Sequence, residues 1–230
     1  MPALCRLNGG TRSVKKYTRK RAAAKPLTTA QRLDRIVKSA RKIMRKDKGL
    51  NGDLDRLPML TWIMFLKFLD DMERIEEERA GLGNRVHRPV IESPWRWRDW
   101  AAPQDGLTGA DLLNFLAAED TTLPDGSTGP GLFTYLRNLR GDNLRRERRD
   151  VIGTVFRGFS NRMANGYLLR DVITLIDGIR FDSSEEIHVL GHLYETLLRE
   201  MRDAAGDSGE FYTPRTVVRF MVETVAPRLG

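Results

Sequence analysis

Cysteine is almost missing from this chain: Cys5 is the single one in 230 residues. One thiol closes no disulfide and builds no cysteine-based zinc site within one chain, which suits a reducing compartment. Long hydrophobic runs are missing as well. The longest, Met59 to Leu69, is eleven residues broken by Thr61 and Lys67, whereas a membrane-spanning helix needs about 20. No continuous apolar stretch of signal-peptide type opens the chain. These absences predict a cytoplasmic protein without a membrane span. There is no P-loop, no Gly-x-Gly-x-x-Gly after a strand and no Gly-x-Ser-x-Gly elbow. His188 and His192 stand four apart on a predicted helix, but Val189 occupies the place where a zinc-protease signature needs Glu. With no third ligand evident, the expectation is no metal site.

Hydrophobic residues at 40% and charged residues at 30% describe a globular protein, long enough for one domain or one domain and part of another. The net charge of +8 has a location. Residues 1–26 hold Arg6, Arg12, Lys15, Lys16, Arg19, Lys20, Arg21 and Lys25 and no acid, and the other 204 residues balance 31 cations against 31 acids. The tail has no apolar periodicity and ends at Pro26, so it is predicted to be disordered. It is either a solvated extension or a polycation that adds attraction to DNA phosphates, with Lys15, Lys16, Arg19, Lys20 and Arg21 as candidate contacts.

The rest reads as mainly α, with no internal repeat. Thr28 and Gln31 form a capping-box pattern ahead of Leu33, Ile36, Val37, Ala40, Ile43 and Met44 at helical spacing. A second helix is predicted from about Asp55 to Ala80, with Pro58 in its first turn. Its first half is apolar nearly all round, as the central helix of a bundle must be. Its second half carries Asp70, Asp71, Glu73, Glu76, Glu77 and Glu78 and is expected to emerge into water. Residues 81–108 read as irregular and hold Trp95, Trp97 and Trp100 beside Arg96 and Arg98. Such a cluster either stacks bases or clamps a loop onto a core. Further helices are predicted over Asp111–Ala118, from Leu132, over Leu168–Ile179, and after the capping run Asp182–Glu186, with an exposed loop over Pro124–Gly131.

Residues 137–162 hold Arg137, Arg140, Arg145, Arg146, Arg148, Arg149, Arg157 and Arg162 against three acids, a local excess of +5. Two readings stay open: a phosphate-contacting face carried by Arg145, Arg146, Arg148 and Arg149, or a solvated face with internal ion pairs.

The segment Gly209-Glu210-Phe211-Tyr212-Thr213-Pro214-Arg215 places an N-cap and a first-turn proline at the start of a helix that runs to Pro227. Free N–H groups at such a start attract carboxylates or phosphates, and Phe211 and Tyr212 stand beside it. With Tyr194-Glu195, the loop from Asp203 to Ser208, the stretch Val217 to Glu223 and Phe-Leu-Lys-Phe-Leu-Asp-Asp at 65–71, this resembles the modification subunit of type I restriction-modification systems, an N6-adenine DNA methyltransferase family. The resemblance covers about residues 28–230.

It implies a helical N-terminal bundle over 27–165, after the tail at 1–26, and the helical start of a truncated Rossmann-like methyltransferase domain over 166–230. It implies methyl transfer from S-adenosylmethionine to adenine N6 in the parent enzyme. Phe211, Tyr212, Thr213 and Pro214 would lie against the cofactor, and DNA, a specificity subunit and a restriction subunit would be partners. The family's glycine-rich cofactor loop and Asn-Pro-Pro-aromatic segment do not occur in these 230 residues. The expectation is therefore a fragment with no catalytic residue of its own, weak cofactor binding and no methylation alone. The alternative is a non-enzymatic helical module that binds DNA or a partner subunit.

Overall fold

The computed structural model describes residues 28–141, 146–181 and 215–226, with isolated positions at 188, 191 and 195. Its described body is a bundle of helices around one long central helix. Helix α1 (Thr29–Met44) starts on the expected capping box: Thr28 Oγ1 accepts from the Gln31 amide at 3.3 Å, and Gln31 Oε1 accepts from the Thr28 amide at 3.1 Å. Leu33, Val37, Ala40 and Met44 form its buried stripe.

Helix α2 (Asp53–Leu82) begins earlier than expected, so Pro58 is its sixth residue and lies past the first turn. The ring removes the N–H that the Leu54 carbonyl would receive. Leu54 and Pro58 lie on the exposed side of the helix, where the missing bond is open to solvent. Met59, Leu60, Trp62, Ile63, Met64 and Leu66 are buried, as a central helix requires. The acidic second half departs from expectation. Asp70, Asp71 and Glu73 are buried rather than solvated, because each meets a donor from a distant part of the chain.

The stretch after α2 contains a short helix, α3 (Trp97–Trp100), followed by α4 (Gly109–Ala117). Of the expected exposed loop Pro124–Gly131, only the first part is the tip of a small antiparallel hairpin, β1 (Thr121–Thr122) with β2 (Thr128–Gly129), pairing Thr121 with Gly129 and Thr122 with Thr128; the rest supplies β2 and the buried Gly131. Its turn is held by Asp125, whose carboxylate accepts from both the amide and the hydroxyl of Ser127. Then come α5 (Leu132–Asn138), α6 (Arg146–Phe156), α7 (Gly166–Asp177) and α8 (Arg215–Val225).

Helix α7 packs on α1, α4 and α2, while α5 packs on α6 and α4. An aromatic chain threads this core: Trp62 meets Phe133 edge-on at 5.2 Å, Phe133 meets Phe156 at 6.0 Å, and Phe65 meets Phe156 at 5.9 Å. Asp47 joins the end of α1 to the start of α7. Its buried carboxylate accepts from the amides of Gly49, Ala164 and Asn165 at 2.7, 3.0 and 2.9 Å. Asn165 in turn caps α7, accepting from the Tyr167 and Leu168 amides.

Candidate nucleic-acid interface

The arginines of 137–162 are the natural place to look for phosphate contacts. Arg145 lies outside the described residues, and Arg146 is described by its backbone alone. Of the other six, the side chains of all but Arg157 have a hydrogen-bond or ion-pair partner among the described residues. Arg149 is largely buried: Nε donates to the Val90 carbonyl at 2.9 Å and Nη2 to Glu92 Oε1 at 2.6 Å. Arg148 reaches Glu76 on α2 at 3.1 Å, and that carboxylate holds its guanidinium above the usual arginine range. Arg137 donates to the carbonyls of Phe156 and Phe159, closing the end of α6. Arg162 pairs with Asp55. Arg140 turns back onto the carbonyls of Arg137 and Leu139, and Arg157 is exposed. Most of the described excess of charge is thus answered from within, largely by acids of α2 and the segment after it.

That segment is strapped down by the same chemistry. Glu73 accepts from the Val90 amide at 2.5 Å, Tyr135 Oη accepts from the Glu92 amide at 2.9 Å, and Arg149 holds Val90 from the other side. Arg98 bridges two turns of α2, giving Nε to Asp70 at 2.8 Å and Nη1 to Glu77 at 2.6 Å. Burial pushes the Asp70 carboxyl up, against the opposing pull of Arg98. Burial also pushes Glu73 up to about 7, with Asp70 and Glu77 adding like charge.

The family-like segment at 65–71 belongs to this network. Lys67 Nζ meets Asp71 Oδ1 at 2.7 Å, both nearly dry, and Asp71 Oδ2 accepts from the Phe181 amide at 3.0 Å. Asp177 stands 3.9 Å from Lys67 and takes the Trp97 indole N–H at 2.7 Å. Its polar residues therefore tie α2 to α7 and to α3, and its aromatics fill the core. The tryptophans act as a clamp. Trp97 and Trp100 are buried, and Trp95 stacks on Tyr135 at 4.1 Å while donating to the Pro130 carbonyl. Burial leaves Trp97 and Trp100 no face for a base.

Phe211, Tyr212, Thr213 and Pro214 lie outside the described residues, as do the tail cations Lys15, Lys16, Arg19, Lys20 and Arg21 and the capping run Asp182–Glu186. Immediately after Pro214, α8 runs over Arg215–Val225, close to the helix expected there. Its described side chains are all exposed, among them Val217, Val218, Phe220, Met221, Val222 and Val225.

A richer concentration of charge lies on α1 and its exit, where the sequence pattern marks only the apolar stripe. Residues 31–48 hold eight cations and two acids, a net of +6, which exceeds the +5 of 137–162. Both acids are engaged: Asp34 with Lys38 at 2.9 Å, and Asp47 with its three amides. Arg41 is held by Asp53 at 3.2 Å. Arg35, Lys42, Arg45, Lys46 and Lys48 are exposed, with no acidic partner among the described residues. A count by segment finds this excess directly; the amphipathic pattern draws attention to the opposite face.

No group of three or more potential metal-ligating side chains occurs among the described residues, and none of the described helices is long and apolar enough to cross a membrane. Geometry of this kind defines a helical domain whose buried charged groups serve its own architecture. A family model described as the HsdM N-terminal domain matches residues 33–176, and one described as N-6 DNA methylase matches residues 185–230. The chain belongs to the family of type I restriction-modification methylase subunits, of which it is an N-terminal portion.

Its relatives place it consistently. It is 40% identical over 195 residues to the type I restriction enzyme EcoEI methylase subunit of Escherichia coli, covering 85% of this chain and 36% of that protein. It superposes on a modification subunit ascribed to a type I restriction enzyme of Vibrio vulnificus YJ016 with a TM-score of 0.80 and 65% identity, over 90% of this chain and 43% of the other. A chain from a structure of complex assembly and conformational transition in the type I R-M system gives 0.66 and 36% identity, over 89% and 37%. The chain spans about two-fifths of the length of these relatives. Its mainly helical fold is the one expected.

Proposed function

We propose that these residues are the helical module of an adenine-N6 DNA methyltransferase subunit, which holds DNA and a specificity subunit against a catalytic domain of which only the first elements are present here. A restriction subunit completes the assembly in this reading. The match of the HsdM N-terminal domain to residues 33–176, on a body where Lys67 and Asp70 of α2 pair with Asp177 of α7 and Arg98 of α3, carries the proposal. Helix α7 packs into the bundle, so we draw the boundary with the methyltransferase domain after it, in place of the 165/166 division expected from sequence.

S-adenosylmethionine is the methyl donor of the parent reaction. In this chain Phe211 to Pro214 would wall its methionine end, and the first free amides of α8 would face its carboxylate. Helix α8 leaves its large apolar side chains uncovered, which fits the start of a domain whose remaining elements would pack on it. Without a glycine-rich loop or an Asn-Pro-Pro-aromatic segment, this chain has no floor for the cofactor and no acceptor for the adenine amino protons. The purified 230-residue chain is expected to transfer no labelled methyl group to unmethylated DNA and to show no micromolar S-adenosylmethionine binding by calorimetry. Either signal would overturn the reading.

A second reading, a module that binds DNA through Arg145, Arg146, Arg148 and Arg149, has less support in the geometry. Arg148 and Arg149 are already engaged by Glu76, Glu92 and Val90.

A further inference from the structure

The charge of this chain is segregated. Its first 48 residues hold 16 cations and 2 acids, a net of +14, and the following 182 hold 23 cations and 29 acids, a net of −6. We propose that the outward face of α1 and its exit, built from Arg35 and Lys42 on the helix and Arg45, Lys46 and Lys48 just beyond it, docks on the sugar-phosphate backbone of duplex DNA. The proposal rests on the reading of DNA as a partner and assigns that contact to a different surface from the arginines of 137–162.

The helix dictates the arrangement. Leu33, Val37, Ala40 and Met44 point into the core. At 3.6 residues per turn Arg35 and Lys42 fall on the opposite side, and Arg45, the C-cap, and Lys46, in the turn after it, carry exposed charge on at the end of the helix. Arg35 and Lys42 stand about 10 Å apart along the axis of α1, and Arg45, Lys46 and Lys48 extend the charge past its end, which suits several phosphates of a duplex that carries a charge every ~1.7 Å of its axis. A cation-rich last turn also complements the helix dipole, but that effect fades within one turn and leaves Arg35 unexplained.

Competing occupants fit less well. A membrane-surface helix must offer an apolar face, and that of α1 is buried. Single-stranded nucleic acid calls for exposed aromatics, and this face has none. Protein interfaces are depleted in lysine at their centres. Continuity supplies the last argument: the eight cations of residues 1–26 precede this face directly in the chain. Contacts of this kind position a duplex without reading its sequence.

The test is a salt series of fluorescence anisotropy with the whole 230-residue chain and a labelled duplex, repeated with a duplex of unrelated sequence. Four changes, Arg35→Gln, Lys42→Gln, Arg45→Gln and Lys46→Gln, are made together. They should weaken binding at least tenfold at about 0.1 M salt and flatten the slope of log K against log salt by about one for each phosphate no longer neutralised, equally for both duplexes. The thermal midpoint should stay put, because all four side chains are exposed. The charge-reversing pair Lys42→Glu and Lys46→Glu, which lowers the net charge by the same amount as the four neutral changes, should weaken binding to a comparable extent. The α1 effect should also persist in a chain shortened by residues 1–26.

If the parent chain fails to bind duplex even at low salt, the DNA reading itself falls and takes this proposal with it. If the chain binds and neutralising α1 leaves the slope unchanged, the α1 proposal alone is overturned. Unchanged DNA binding together with a failure to associate with a specificity subunit would make the face a protein interface and overturn it equally.

Discussion

Glu73 is a carboxylate held where its negative charge is disfavoured. It is 3% exposed, faces Asp70 and Glu77, and keeps its place through the Val90 amide and the nearby Arg98. Burial raises its pKa from 4.5 to about 7, so between those values the folded chain binds more of this proton than the unfolded chain does. By linkage, the Glu73 contribution to stability falls as pH rises through that window. Glu73→Gln, which keeps an acceptor for the amide, should therefore raise the urea midpoint at pH 8 and change it little at pH 4.5. A difference between the two chains that does not vary with pH would refute the assignment. Such a residue is hard to recognise beforehand. Asp70 to Glu78 looks like a wet helix face because its partners, Val90 and Arg98, lie 17 and 28 residues away from Glu73 and Asp70. Nothing in a local window announces them.

At the scale of elements, local chemistry was legible and close approach was not. The capping box at Thr28, the stripe on α1 and the apolar first half of α2 each follow from neighbours within a few residues. The contact between α4 and α7 does not. Gly109 has φ +57°, Tyr167 packs over it, and a Cβ on Gly166 would run into the Gly109 backbone. Two helix starts thus meet backbone to backbone. Gly166→Ala should cost about 2 kcal/mol by overpacking and lower the thermal midpoint by about 4–8 °C. Gly81→Ala is the control: nothing lies within 4 Å of its added Cβ, and it sits within α2. It should leave the midpoint unchanged or raise it slightly. Equal losses at both positions would remove the close-approach argument.

For the whole molecule, the sequence suggested a basic tail on a body of balanced charge, with an arginine-rich excess over 137–162. The folded chain redistributes that charge. The arginines of α6 and α3 answer acids of α2, while five exposed cations with no acidic partner among the described residues, Arg35, Lys42, Arg45, Lys46 and Lys48, gather on α1 and its exit. Family membership was legible because the segment at 65–71 and the one at 209–215 are distinctive strings. The role of the first was not, since Lys67 and Asp71 reveal themselves as a dry tie only when Phe181 and Asp177 come alongside.

The tryptophan clamp has a spectroscopic consequence. All four indoles, Trp62, Trp95, Trp97 and Trp100, belong to α2 and the segment that folds back on it, and three of them are buried. Intrinsic emission should be blue-shifted, poorly quenched by iodide, and sensitive to the opening of this one region. Helix α8 carries no indole and exposes its side chains, so its loss would be silent in emission yet visible in far-ultraviolet dichroism. On gentle heating the dichroism signal should begin to fall before the emission maximum moves, a mismatch that two-state unfolding forbids. Superimposable curves would mean that α8 melts with the bundle.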